Sequence, residues 1–306
     1  MPEIASIAER LGFSGIWFLN GSYQWGCTAL AREEQGAAWL ARTLDWPFAG
    51  LGRHAAIVEQ AGPAGCYLSV TWPGYVGVLS AMAPGRFAAC VNQAPLRRRT
   101  RRAALRMVDM AANALATWTA VRHIPPDHLL RAAFETCRSF EEAKVLLEQT
   151  PVARPVIYVL VGCRAEERCV IERVEEAHET RSGEIAAAND WQEPRPGWEA
   201  RIAARHFFRL SFAEAAENSR ARALSLAQWR GSLAGNGFEW LAPPVLNPYT
   251  RLALVMCPAE GRLGVVGCEP AAGEDLPSPA TQPSVLHRPP NRKPTGPDPR
   301  FATAVS

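Results

Sequence analysis

The chain has 306 residues, 48% of them hydrophobic and 21% charged, with a formal net charge of +3. This is a globular composition, long enough for one large domain, and so small a charge excess leaves no footprint for nucleic acid. No run of about 18 apolar residues without charges occurs, so no transmembrane helix is expected.

Residues 1–26 read as a short leader, with a helix over Pro2–Leu11 followed by a Gly, Ser and aromatic stretch. Glu3, Glu9 and Arg10 break the basic start and apolar core that a secretory signal needs. From Cys27 the pattern predicts strands: Thr28–Arg32, Ala37–Leu44, His54–Gln60, Cys66–Thr71, Tyr75–Met82 and Phe87–Asn92 are short apolar runs split by Gly, Pro or charge. Gln35-Gly36 predicts a hairpin turn between the first two. Arg102–Ala120 carries Leu105, Val108, Ala112, Leu115 and Trp118 at helical spacing. Asp127 is placed to cap a helix through Cys137, and Ser139 with Glu142 forms a capping box for Phe140–Gln149. Strands resume at Val156–Val161, Cys169–Val174 and Glu184–Ala188, and helices at Glu199–Phe207 and Phe212–Trp229. Arg251–Cys257 and Arg262–Gly267 predict a last hairpin. Strands, helices, strands, helices, strands is an α+β order in which helices cover packed antiparallel sheets. From Glu269 to Ser306, Pro, Ser and Ala dominate and disorder is expected.

The eight cysteines have no CxxC spacing and no His cluster beside them, and His54, His123 and His206 stand alone. Free thiols in a reducing compartment, no metal site and a cytoplasmic location are therefore expected. Gly12, Gly15 and Gly21 follow no strand–helix phosphate pattern, so no nucleotide cofactor is expected. The run Arg97–Arg102, without interleaved aromatics, reads as a solvated loop.

Chemistry concentrates at Gly26-Cys27-Thr28-Ala29 and Arg42-Thr43-Leu44-Asp45. A hairpin returns Arg42 and Asp45 alongside Cys27. A guanidinium beside a thiol favours the thiolate, and a carboxylate can hold a protonated amine. Spacing alone is equally met by a buried Cys next to an Arg–Asp pair at a strand end.

Gly26-Cys27-Thr28-Ala29 with Arg42-x-Leu44-Asp45-Trp46-Pro47 resembles the opening of the mature cysteine N-terminal-nucleophile (Ntn) hydrolases. These include choloylglycine hydrolases, acid ceramidase and N-acylethanolamine amidases, and isopenicillin-N acyltransferase. The resemblance extends through Trp72-Pro73-Gly74-Tyr75, Asn92, Asp127–Thr150, Ala188-Asn189-Asp190-Trp191 and Asn247-Pro248-Tyr249-Thr250. It implies an αββα sandwich over residues 27–268 and cleavage between Gly26 and Cys27. It also implies Cys27 as nucleophile and base, Asp45 on its α-amine and Arg42 holding the thiolate. Asn189 becomes the oxyanion donor, Asn92 a substrate-side or oxyanion contributor, and Arg201 a brace, with Arg195 and Arg205 competing for that place. Trp46, Trp72 and Tyr75 could line an acyl pocket, or simply pack in the core. The activity implied is hydrolysis of an N-acyl amide, a small-molecule substrate, through a thioester. Acyl transfer to an amine is one alternative, and a non-catalytic binding or scaffold protein another. A homo-oligomer is compatible with all three.

Overall fold

The computed structural model describes residues 2–12, 15–21, 25–120, 123–203, 209–235, 237–289 and 302–304. Helices α1 (Pro2–Leu11) and α2 (Gly15–Gly21) precede two hairpins, β1 (Gly26–Glu34) with β2 (Ala37–Asp45) and β3 (Ala56–Gly62) with β4 (Gly65–Thr71). Then come β5 (Ser80–Ala83), β6 (Phe87–Gln93) and the short β7 (Leu96–Arg97). Three helices follow, α3 (Arg106–Ala120), α4 (Pro126–Thr136) and α5 (Phe140–Gln149). They lead to β8 (Val156–Gly162), β9 (Arg168–Arg173), β10 (His178–Ser182), β11 (Ile185–Ala187) and β12 (Trp198–Glu199). Helix α6 (Phe212–Gln228) runs on to the hairpin β13 (Thr250–Cys257) and β14 (Arg262–Pro270). Strands β15 (Pro277–Pro279), β16 (Ser284–His287) and β17 (Ala302–Ala304) come last.

Apart from β7 and β12, which pair only with each other, these strands build two antiparallel sheets. One has the order β11-β1-β2-β13-β14-β15 with β16 also on β14, and the other β10-β9-β8-β6-β5-β4-β3-β17. The β1–β2 hairpin turns at Gln35 and Gly36, whose φ angles of 55° and 79° are those of a two-residue hairpin turn that matches strand twist. Strand alternation then sorts side chains by face. Cys27, Ala29, Ala31, Leu40 and Leu44 point between the sheets, into a cluster shared with Cys90 and Val159. Leu30, Trp39 and Ala41 point outward and are covered by Leu226 of α6. Helices α4 and α5 cover the second sheet, where Phe134 stacks on Tyr67 and Phe87 at centroid distances of 5.3 and 4.7 Å. The result is the α+β sandwich expected, with helix, sheet, sheet and helix in layers.

Four expectations change. The strand expected over Tyr75–Met82 shrinks to β5, because Gly74 turns the chain at φ 88° and the backbone beyond it bonds elsewhere. Val76 N donates to Asn20 Oδ1 at 2.9 Å and Val78 N to Asp127 O at 3.0 Å. Asp127 does not cap α4; Pro125 holds that position, and the Asp127 carboxylate accepts from Tyr75 OH at 2.9 Å. Of the helix expected over Glu199–Phe207, Glu199 lies in β12 paired with β7, residues 200–203 are irregular, and 204–208 lie outside the described residues. The stretch after Glu269 is not without structure. β15 and β16 pair with β14, and Arg288 Nη2 reaches Glu59 at 3.2 Å.

Helix α3 forms as expected but its apolar positions stay outside, with Val108 54% and Leu115 60% exposed. It packs along β7 rather than on either sheet, and buried Asp109 receives the backbone N–H groups of Arg99 and Thr100.

Candidate active site at Cys27

β1 is paired on both sides, with Gly26 opposite Asp45 and Ala29 opposite Arg42 on β2. This places Cys27 at the end of a central strand, wholly buried. Its Sγ faces the second sheet, donating to Val91 O at 3.7 Å, and accepts from Arg42 Nη2 of the adjacent β2 at 2.8 Å. The Arg42 guanidinium is fixed by three further acceptors, Leu79 O and Ser80 Oγ at 2.7 Å and Thr43 O at 3.2 Å. Burial pushes the thiol up to about 11, against the charge of Arg42, which lowers it. Asp45 adds to the rise, and the backbone N–H of Gln93 and the Arg222 charge oppose it.

The other face of β1 and β2 carries the second half of the site. Asp45 Oδ1 accepts from Thr250 Oγ1 at 2.9 Å, and Asp45 Oδ2 lies 3.7 Å from Arg222 Nη1. Burial raises the Asp45 carboxyl, opposed first by Arg222 and then by hydrogen bonds from Asn247 and Thr250. Arg222 Nη1 also donates to Cys27 O at 2.6 Å and Thr28 Oγ1 at 3.0 Å, and Arg222 Nη2 to Asn189 Oδ1 at 3.1 Å. The backbone nitrogen of Cys27 donates to the same Asn189 Oδ1 at 2.8 Å. One side-chain oxygen thus holds the nitrogen of the Gly26–Cys27 bond, while a guanidinium holds the carbonyl of Cys27.

Cys27, Arg42, Asp45 and Asn189 are therefore brought together as the sequence led us to expect. Arg201, expected as a brace, lies in an irregular segment, where its Nε donates to Ala94 O at 3.2 Å and its backbone N–H to Asn189 O at 3.0 Å. Arg222 on α6, which the sequence reading missed, bonds Cys27 O, Thr28 and Asn189 directly. A signal was present, since Ala215, Ser219, Arg222 and Leu226 are the buried stripe of α6 at spacings of four, three and four. Of the competitors, Arg195 pairs with Glu172 and Glu179, and Arg205 lies outside the described residues.

The expected amide donors are turned elsewhere in this uncut chain. Asn92 Nδ2 donates to Ala187 O at 3.0 Å and Ala188 O at 3.3 Å, tying the two sheets together. Asn189 Nδ2 donates to Gln93 O at 2.8 Å.

Residues ahead of Cys27 pack beside the site and on the 74–76 turn. Trp25 is buried with its ring 5.2 Å from Trp46, which in turn meets Trp72 at 5.5 Å. Trp46, Trp72 and Tyr75 are buried, Trp46 between Trp25 and Trp72, while Tyr75 OH is held by Asp127. Ile16 lies under Gly74, where a Cβ would meet Ile16 Cδ1 at 2.3 Å. Asn20 clamps the 74–76 turn, donating to Gly74 O at 2.8 Å. Beside Gly26 and Asp45 a cavity of about 120 Å³ remains, walled by Leu96, Met110 and Ile202 among others, with Arg106 and Arg201 at its edge. Among the described residues no cluster of His, Cys, Asp or Glu could hold a metal, all eight cysteines are free thiols, and no helix is long and apolar enough to cross a membrane.

No protein-family model matches the chain. Over 179 residues it is 30% identical to the N-acylethanolamine-hydrolyzing acid amidase of Mus musculus and 26% identical to that of Oryctolagus cuniculus. Each alignment covers 56% of this chain and 46% of the relative, so the chain spans about half the length of these curated relatives. Its backbone superposes on a Caenorhabditis elegans N-acylethanolamine-hydrolyzing acid amidase ortholog with a TM-score of 0.56 and 17% identity, covering 76% of this chain and 93% of that one. A variant of the conjugated bile acid hydrolase from Clostridium perfringens superposes with a TM-score of 0.50 at 11% identity, covering 85% and 92%. Two helix-covered antiparallel sheets with these structural neighbours identify the architecture: the chain has the Ntn-hydrolase fold.

Proposed function

We propose that this protein is a cysteine Ntn hydrolase that cuts its own chain between Gly26 and Cys27 and then hydrolyses N-acyl amides. The observation that carries the reading is the arrangement around one residue. Cys27 Sγ meets a guanidinium at 2.8 Å while its backbone nitrogen, the future α-amine, is held at 2.8 Å by Asn189.

In the first reaction the Cys27 sulfur attacks the Gly26 carbonyl, the carbon–nitrogen bond breaks, and the nitrogen takes a proton. Water then opens the thioester, leaving a carboxylate on Gly26 and a free α-amine on Cys27. Gly26 suits this step, because the space around it is closed; a Cβ there would stand 2.9 Å from that of Ala203 and 3.4 Å from that of Asp45.

In the second reaction the α-amine, with an ordinary pKa of about 8, takes the thiol proton near neutral pH. The thiolate attacks the substrate carbonyl, the amine departs with that proton, and water hydrolyses the acyl thioester. Arg42 stabilises the thiolate, and Asp45 with Asn189 orients the α-ammonium. Arg222 neutralises Asp45 and fixes the strand end. Asn92 and Asn189 are oxyanion donors only if their amides turn from the acceptors they hold here. The Gln93 N–H, already on the sulfur side, needs no such turn.

Intact mass tests the reading directly. The wild type should give a chain beginning at Cys27, and Cys27→Ala a single uncut chain. An uncut wild type whose Cys27 also resists a β-lactone acylating probe would sink it. Interception of the acyl-enzyme by hydroxylamine with no hydrolysis in water would turn the reading to acyl transfer.

A further inference from the structure

Asp45 is bonded through one of its two oxygens only. Oδ1 accepts from Thr250 Oγ1 at 2.9 Å. Among the described residues no group donates a hydrogen bond to Oδ2, which lies 3.7 Å from Arg222 Nη1 in a side chain closed to solvent. A buried carboxylate oxygen without a donor is costly, so one left open points to a donor that arrives later. Oδ2 is also the oxygen beside the bond to be cut. Gly26 stands opposite Asp45 across the β1–β2 ladder, and a Cβ on Gly26 would be 3.4 Å from Oδ2. A freed α-ammonium on Cys27 carries three N–H donors; Asn189 Oδ1 already takes one from this nitrogen at 2.8 Å, and Asp45 Oδ2 is the acceptor waiting for a second.

The direction of one hydroxyl decides which oxygen stays open. Thr250 Oγ1 accepts the backbone N–H of Asn247 at 3.0 Å, so its own hydrogen is left for Asp45. The hydroxyl is pinned there because the Asn247–Thr250 turn closes on itself. Thr250 N–H donates to Asn247 O at 2.9 Å and Tyr249 N–H to Asn247 Oδ1 at 3.0 Å, with Pro248 between them. The same turn grips the residue after Asp45, since Trp46 N–H donates to Tyr249 O at 2.7 Å. Thr250 is wholly buried, so bulk water does not compete for its hydroxyl. With the hydroxyl gone, the carboxylate is free to swing onto the Arg222 guanidinium, a charge-assisted contact that would take Oδ2 from the amine.

Resting on the hydrolase reading above, we propose that Thr250 is the positioning residue for Asp45: its hydroxyl occupies Oδ1 and keeps Oδ2 turned to the α-ammonium of Cys27. Thr250→Val keeps the branched shape and removes the hydroxyl, whereas Thr250→Ser keeps the hydroxyl and removes the methyl. Both should fold and be cut, as intact mass would show. The readout is acylation of Cys27 by a β-lactone in cut protein, resolved into a maximal rate and a half-saturating concentration. Thr250→Val should lower the maximal rate about tenfold, the scale of a hydrogen bond to a charged group, and leave half-saturation nearly unchanged. Thr250→Ser should restore most of the rate, which a purely packing role would not allow. In an Asp45→Asn background Thr250→Val should cost less than about twofold more, because the two residues act as one unit. If Thr250→Val does not fold, Thr250→Ala carries the same expectation. A wild-type rate without the hydroxyl, a Thr250→Ser as slow as Thr250→Val, or a folded Thr250→Val that stays uncut overturns this assignment and leaves the hydrolase reading standing. A wild type that stays uncut and inert to the lactone overturns both.

Discussion

At the scale of single residues, Cys27 is governed by two opposed environments. Burial holds its thiol protonated, up to about 11, while Arg42 at 2.8 Å pulls the other way. On the self-cleavage reading, departure of residues 1–26 would remove part of the burial and none of Arg42, so the sulfur would become more acidic when it is needed as a nucleophile. Below its pKa the thiolate fraction of the uncut chain grows about tenfold per pH unit. Iodoacetamide labelling of Cys27 in uncut chain, followed peptide by peptide, should therefore be slow at pH 7 and climb steadily through pH 8 to 10. The cut chain should label faster at pH 7. A flat profile in the uncut chain would contradict the burial argument. Cys27, Arg42 and Asp45 were legible because they sit on one hairpin, where register follows from the turn. Arg222 was not, because nothing in local spacing says which buried side chain of a helix will meet a strand end some 195 residues away.

Among elements, the hairpins and helices with strong local chemistry were readable. Gln35-Gly36 turned as its residue types require, and Phe140–Gln149 began at Ser139, whose Oγ accepts from Glu142 N at 3.2 Å. Tyr75–Met82 was misread because its apolar residues serve the leader and α4, a tertiary demand that alternation does not encode. The stretch after Glu269 was misread for a related reason. Its strands are edge additions to β14, drawn into order by a partner rather than by their own composition. Helix α6 is the element on which the site most depends, since it carries Ser219 and Arg222. It opens with a full capping box, Ser211 and Glu214 bonding reciprocally. Ser211→Ala should lower unfolding stability by about 1 kcal/mol. Urea denaturation would read this, and no loss would mean the first turn is held by tertiary contacts alone.

For the molecule as a whole, the described residues ahead of Cys27, the leader of the proposed reading, are packed as part of the fold rather than appended to it. Glu3 reaches Arg131 at 2.9 Å, Ile16 lies under Gly74, Asn20 clamps the turn, and Trp25 fills the aromatic slot. Cutting after Gly26 breaks none of these contacts, so the leader should stay bound and hold the cut enzyme back until it leaves. Asn20→Ala removes hydrogen bonds to Gly74 O and Val76 N, each worth about 1 kcal/mol. Gel filtration of cut protein should then show faster leader loss, with amidase activity rising in step; loss of the leader without a rise would deny it any inhibitory part.

The bond between Gly26 and Cys27 begins a strand that has neighbours on both sides, with Cys27 closed to solvent. On the self-cleavage reading, no second molecule brings its sulfur to that bond, so each chain would be its own cutter. Maturation on this reading keeps time like radioactive decay: its half-life is the same in a dilute solution as in a crowded one, and a finished enzyme cannot hurry an unfinished neighbour.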